Sequence, residues 1–94
     1  MNVTYKQISP IKYEAQVDGK PVAYATVDLD GNYVRSLFVA LAYRRKGVGT
    51  GMVNFIAASR GKQLNRAPSQ IKNSAIQQMS VKLGSILGPE AELK

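Results

Sequence analysis

Leu37-Phe38-Val39-Ala40-Leu41-Ala42-Tyr43-Arg44-Arg45-Lys46-Gly47-Val48-Gly49-Thr50-Gly51 is the stretch where the chain changes from one structural period to another. Before it, Tyr33 to Val39 is rich in β-branched and aromatic residues and reads as a strand. After it, Val48, Met52, Phe55, Ile56 and Ser59 recur at helical spacing, Ala57 and Ala58 add helix propensity, and Gly61 supplies a stop just past Arg60. The turn between them therefore opens a helix, and three properties make it a candidate anion site. A helix N-terminus offers unpaired N–H groups at the positive end of the macrodipole. Arg44, Arg45 and Lys46 place positive charge at the same spot. Gly47, Gly49 and Gly51 let backbone approach a ligand and permit positive φ, although an interior helical glycine costs up to about 1 kcal/mol.

Working outward toward the N-terminus, the sequence reads as a meander. Asn2 to Ile8 forms a first strand closed by Pro10, Tyr13 to Val17 a second with Tyr13, Ala15 and Val17 on one face, and Val22 to Val27 a third. Asp18-Gly19 and the Asp30-Gly31 step within Asp28 to Asn32 are hairpin signals, because a type I′ turn needs φ > 0 at its centre. Toward the C-terminus, Gln63 to Ala67 reads as a short fifth strand. Ala75, Ile76, Met79 and Leu83 share one face of a second helix that Gly84 ends. Asn73 or Ser74 is its N-cap, and Ser74-x-x-Gln77 has the form of a capping box. Ser85 to Lys94 has no clear period and reads as an irregular tail or a short extra strand. The expected fold class is α+β (mixed α/β), an antiparallel-rich central sheet with helices packed on it, forming one domain over residues 1–94.

Composition narrows the chemistry. The 94 residues contain no cysteine and no histidine, which removes disulfides, thiolate metal sites and the usual Cys/His or Ser/His pairs. Carboxylates, hydroxyls, lysines, backbone amides or a bound cofactor must do the work. No apolar run is long enough to span a membrane and no signal-peptide pattern opens the chain, so a soluble cytoplasmic protein is expected. The net charge of +7 is lopsided. Residues 1–34 hold three lysines against four carboxylates, whereas residues 35–94 hold ten Lys or Arg against Glu90 and Glu92. Such a half attracts polyanions: a nucleic acid, an acidic protein or a phosphate-rich cofactor.

Known phosphate motifs divide the readings of the turn. The P-loop pattern is absent, and Gly47-x-Gly49-x-Gly51 places its third glycine one residue early for a dinucleotide fingerprint. A basic, glycine-rich turn that binds nothing remains the alternative from the residues alone. The whole segment, however, resembles the central motif of the GNAT acetyltransferase superfamily: a strand ending Leu-aromatic-Val, a short loop, then Arg/Gln-x-x-Gly-x-Gly/Ala opening a helix. Arg44, Gly47 and Gly49 fill the signature positions, and Leu37, Val39 and Tyr43 the flanking ones. Asn73, with the apolar helix and Lys82-Leu83-Gly84 behind it, is similar to the family's Asn-containing helix. The two matches come in the right order and cover about half the chain.

The resemblance implies an acyl-CoA-dependent N-acyltransferase with acetyl-CoA as co-substrate. Backbone amides from about Arg45 through Lys46, Gly47, Val48 and Gly49 to Thr50 would hold its pyrophosphate, with Arg44 shaping and charging the turn. The strand end at Leu37, Phe38 and Val39 would pair with the pantetheine arm, Val39 would polarise the thioester carbonyl, and Asn73 would touch the cofactor. A substrate amine would attack the thioester directly. Ser80 stands where many members carry the tyrosine that protonates the departing thiolate, and could act only through a water. The tight Pro10-Ile11-Lys12 connection leaves no room for the family's usual N-terminal helices. The acceptor site is therefore expected to be open, suited to a protein lysine or N-terminus, or completed by a second subunit in a homodimer. A basic rim would suit an acidic protein or nucleoprotein. Two other readings stay open: a GNAT-fold protein that binds without turnover, and a basic nucleic-acid-binding module, although the sequence shows no interleaved aromatic and basic platform.

Overall fold

The computed structural model describes residues 2–92. Strands β1 (Val3–Ser9), β2 (Lys12–Val17), β3 (Lys20–Asp28) and β4 (Tyr33–Val39) pair in that order as an antiparallel meander. A single 3-10 turn at Leu41–Tyr43 leads to helix α1 (Val48–Arg60), followed by β5 (Asn65–Arg66), helix α2 (Ser74–Lys82) and β6 (Gly88–Glu90). The expected α+β class is the observed one. The tail expected from Ser85 onward is in part ordered: β6 pairs in parallel with β5, and Leu87 and Ala91 on either side of it are buried. Three residues are too few for any period to show, so only the pairing reveals this strand. Leu93 and Lys94 lie outside the described residues.

The hairpins differ in mechanism. Asp18 and Gly19 have φ of 52° and 77°, the left-handed pair that a type I′ turn demands. At the next turn, the expected Asp-Gly geometry is replaced. Asn32 takes the positive φ, 55°, and Asp28 Oδ1 accepts from Gly31 N–H at 2.8 Å, a side chain mimicking a backbone turn. Tyr33 explains the shift: its buried ring lies where a Cβ on Gly31 would be, so Gly31 is there for room and not for φ.

Alternation sets the faces. Tyr13, Ala15, Val17, Ala23, Ala25, Val27 and Leu37 are buried, and one continuous cluster joins them to Val48, Met52, Val53 and Ile56 of α1 and to Ile76 and Met79 of α2. Small alanines on the sheet sit opposite the large side chains of α1, which lets the layers interdigitate at close-packed density. Met52 and Ile56 are fully buried, each worth about 1.5–3 kcal/mol of apolar transfer. Helix α1 begins and ends as expected, with Gly61 as a left-handed C-cap at φ 69°. Its inner stripe includes Val53 in place of the expected Ser59, which is exposed. Helix α2 is capped by Asn73, not by a Ser74–Gln77 box; Gln77 Nε2 donates instead to Ile71 O at 3.4 Å. The opposite sheet face, carrying Lys12, Glu14, Tyr24, Thr26, Ser36 and Phe38, is covered by no helix among the described residues.

Candidate active site

The chemistry-bearing segment is built from the backbone of β4 outward. Ala40 N–H donates to Val22 O at 2.8 Å, and Val39 lies opposite Ala23 in the same ladder. In an antiparallel ladder, bonded and non-bonded pairs alternate. Ala40 and Phe38 therefore spend their backbone groups on β3, while Val39 and Leu37 turn theirs to the other edge. Two side chains close the carbonyls of that edge: Arg44 Nε donates to Val39 O at 2.8 Å, and Asn73 Nδ2 to Leu37 O at 3.4 Å. The N–H groups of Leu37 and Val39 remain directed to the open edge. Of the expected strand-end residues, Phe38 is thus the exception. Its backbone faces β3, and its side chain, 45% exposed, stacks on Tyr24 at a centroid separation of 5.4 Å on the bare face of the sheet.

Strand β5 does not close this edge. Asn65 N–H bonds Asn32 O at 2.8 Å near the start of β4, after which β5 pairs with β6 instead. The result is an edge of β4 toward Val39 that no strand among the described residues pairs with, and α2 is fastened to it through Asn73. That residue acts at both ends of its amide, since its Oδ1 also accepts from Ile76 N–H at 3.0 Å as the cap of α2.

Past the strand the chain forms the basic turn. Arg45 and Gly47 take positive φ of 60° and 81°. Left-handed backbone costs a non-glycine residue about 1–2 kcal/mol, so Arg45 carries local strain. The first amide taken up by α1 is that of Gly51, which bonds Gly47 O at 2.9 Å. Among the described residues the N–H groups of Arg45, Lys46, Gly47, Val48, Gly49 and Thr50 have no protein acceptor, and no side chain caps the helix. Arg44, Arg45, Lys46 and Gly47 are exposed. Unpaired N–H groups at a helix N-terminus, with left-handed residues just before it, are a usual backbone arrangement for receiving an anion.

The three glycines of the turn have three different roles. Gly47 supplies the left-handed φ. Gly49 is helical, and a Cβ there would meet only Leu37 Cδ2 at 3.8 Å. Gly51 makes room for Tyr5, whose ring stacks on Phe55 and whose hydroxyl donates to Val48 O at 3.2 Å. Burial in this contact raises the Tyr5 pKa above the ordinary tyrosine value of 10.0.

Ser80 lines a recess with Arg66, Pro68, Gln77 and Glu90 to which no residue of 37–50 contributes. Sequence reading passed over Arg66, whose Nη2 donates to Gly84 O at 3.3 Å while its Nε is buried without a partner. A buried unpaired donor costs about 1–3 kcal/mol. Nothing in a lone arginine of a short polar stretch signals this. The bare sheet face corrects a second expectation, because tertiary structure assembles a small aromatic and basic group from separate strands: Lys12 Nζ lies 5.4 Å from the ring centroid of Tyr24, which stacks on Phe38. Glu14 stands between Lys6 and Tyr24 on the same face, one carboxylate between the two lysines. Among the described residues there is no cluster of metal-ligating side chains and no helix long and apolar enough to cross a membrane.

An open strand edge leading into an uncapped, basic helix start is an arrangement for an extended ligand with a phosphate end. Residues 5–70 match the family model described as Acetyltransferase (GNAT) family. The chain belongs to that family, and its four-stranded antiparallel sheet with two helices is consistent with a GNAT-like fold. The family supports an acetyltransferase-type function in general terms. Comparison with curated proteins and with solved structures finds no match.

Proposed function

We propose that residues 1–94 work as one N-acetyltransferase unit that moves an acetyl group from acetyl-CoA to an exposed amine, a lysine or N-terminus of a protein. The observation that carries this reading is the continuity of donors from the edge-facing N–H of Val39 to the unpartnered amides of Arg45 to Thr50. Acetyl-CoA supplies an acetyl group already activated as a thioester. In this reading the amides of Arg45 to Thr50 hold the pyrophosphate, with Arg45 and Lys46 adding charge and Arg44 fixing the turn through Val39 O. Leu37 N–H binds the pantetheine arm, and Val39 N–H donates to the thioester oxygen as charge builds there. Asn73 holds α2 against this edge. The amine nitrogen bonds to the acetyl carbon, the carbon–sulfur bond breaks, the amine proton passes to solvent, and solvent returns a proton to the departing thiolate, so that coenzyme A leaves as the thiol. Positioning carries much of the rate.

The position of Ser80 favours a second reading. Because no residue of 37–50 lines the recess that Ser80 lines, this reading takes the chain as a GNAT-fold module that binds the cofactor and acts through protein contacts. Thermal unfolding with and without acetyl-CoA, combined with thiol release in the presence of amine acceptors, distinguishes the two. The transferase reading expects a stabilising shift together with thiol release. A shift alone supports the binding module, and no shift at millimolar ligand removes both. Gly49→Asp, which sets a carboxylate at the proposed pyrophosphate, should lower cofactor affinity at least about tenfold, or about 1.4 kcal/mol. Unchanged affinity would move the site elsewhere.

A further inference from the structure

Strand β1 forms the edge of the sheet opposite β4, and nothing among the described residues pairs with its outer side. Val27 N–H donates to Ile11 O at 2.8 Å, in register with the Tyr13–Ala25 and Ala15–Ala23 pairs. Along an antiparallel strand, every second residue bonds the same neighbour. Tyr13 and Ala15 therefore turn their backbone groups to β3, while Glu14 and Gln16 turn theirs to Lys6 and Thr4 of β1. The N–H and C=O groups of Val3, Tyr5 and Gln7 are left directed outward, two on each of three residues. An open edge of this kind is normally blunted by proline, charge or a bulge. Here Val3 to Gln7 contains no proline, the register with β2 shifts only beyond Gln7, and the one charge, Lys6, stands opposite Glu14. The β4 edge is treated differently, since the side chains of Arg44 and Asn73 take up the carbonyls of Val39 and Leu37. Nor does the Tyr5 ring shield β1, being drawn onto Phe55 and Val48 O of α1.

We propose that β1 is a self-association surface, on which a second copy of this chain lays its own β1 antiparallel so that the two sheets join edge to edge. One register uses every outward group: Val3 opposite the partner's Gln7, Tyr5 opposite the partner's Tyr5, and Gln7 opposite the partner's Val3. The same register sets Lys6 against the partner's Thr4. Centring the pairing on Lys6 would set lysine against lysine, which is destabilising, and centring it on Thr4 would leave Gln7 without a described residue opposite it. A two-fold axis at Tyr5 avoids both, and it is the symmetry of a closed dimer. That axis keeps the helix-bearing faces on one side of the joined sheet, where Val3, Tyr5 and Phe55, only partly buried in one protomer, gain cover from the other. Self-complementarity of charge and register is what selects a second copy over an unrelated extended segment.

Sedimentation equilibrium of the whole chain should show monomer and dimer in exchange, with dimer prevailing by about 1 mM, as suits a small interface. Gln7→Pro removes an outward N–H and sets a ring on the pairing edge, yet costs no bond to β2. It should weaken the dimer at least about tenfold while thermal unfolding stays cooperative. The register is read independently, because the chain has no cysteine of its own. Thr4→Cys in one copy and Lys6→Cys in the other would face each other as a non-hydrogen-bonded pair, about 4.5 Å apart at Cα and within disulfide reach. Two copies of the same variant would hold their cysteines about 8 Å apart, which is too far. Mixed in a glutathione redox buffer, the two variants should give the mixed cross-link about threefold or more above random pairing. A chain still monomeric at about 1 mM overturns the proposal, as does a folded Gln7→Pro protein that dimerises as tightly as the native one. If Gln7→Pro does not fold, the cross-link decides, and random or like-with-like pairing overturns the proposal. Neither cofactor nor acceptor is used, so failure would leave the transferase reading standing.

Discussion

At the scale of single residues, Gly51 and Gly49 separate packing from ligand approach. A Cβ at position 51 would overlap the Tyr5 hydroxyl, and the ring is held by Phe55, so it cannot simply swing aside. Gly51→Ala should destabilise the protein by about 1–3 kcal/mol, the usual range for overpacking, read from urea unfolding. Gly49→Ala meets only an ordinary contact and gains helix propensity, so its stability should be unchanged or higher by up to about 1 kcal/mol. Tyr5 has a second consequence. Its neutral form is favoured in the folded state because burial raises its pKa. The stability it contributes is therefore complete below the unfolded tyrosine pKa and is lost as pH rises through the higher folded value. Relative to Tyr5→Phe, the native protein should be more stable by about 0.5–1.5 kcal/mol at neutral pH, with the gap narrowing above about pH 10. A gap constant with pH would mean that the hydroxyl is as well solvated folded as unfolded.

At the scale of elements, Asn73 joins a helix to a strand. Its Oδ1 caps α2 and its Nδ2 reaches Leu37 O on the open edge of β4. Asn73→Ala removes both bonds and should cost about 1–2 kcal/mol, whereas Asn73→Ser keeps a good cap and should recover most of that loss. Serine is too short to reach β4, so its remaining deficit in chemical denaturation measures the tie between α2 and the strand. If serine performs no better than alanine, capping is not what Asn73 contributes. Arg44 has the matching role at Val39 O, and the two side chains leave N–H groups as the unspent polar groups of that edge.

At the scale of the whole molecule, charge and shape act together. The positive surplus lies in residues 35–94, which include the turn Arg44–Lys46. Acetyl-CoA affinity, measured by calorimetry, should therefore fall several-fold as salt rises from about 0.05 M to about 0.5 M, where screening contracts to a few ångströms. Salt-independent affinity would indicate that the phosphates bind away from Arg44, Arg45 and Lys46.

Some of this architecture is set by local chemistry and was legible in order along the chain. Alternation at Tyr13, Ala15 and Val17 fixed a buried sheet face, Asp18-Gly19 fixed a hairpin, and the change of period at Val48 with Gly47 before it and Gly61 after it fixed α1. These depend on neighbours within a few residues, where backbone sterics and side-chain periodicity dominate. Other features depend on residues that meet only on folding. Val39 faces the open edge because Ala40 bonds Val22, Gly51 is required because Tyr5 arrives from β1, and β6 exists because Leu64 O accepts Gly88 N–H. The recess that Ser80 and Arg66 both line, and the partnerless Nε of Arg66, belong to the same class. The sequence by itself determined the strand-to-helix turn and the family it marks, because both are written in consecutive residues. Only the tertiary structure decided which backbone groups stay free at that turn, because a hydrogen bond is assigned by whichever partner packing brings within about 3 Å.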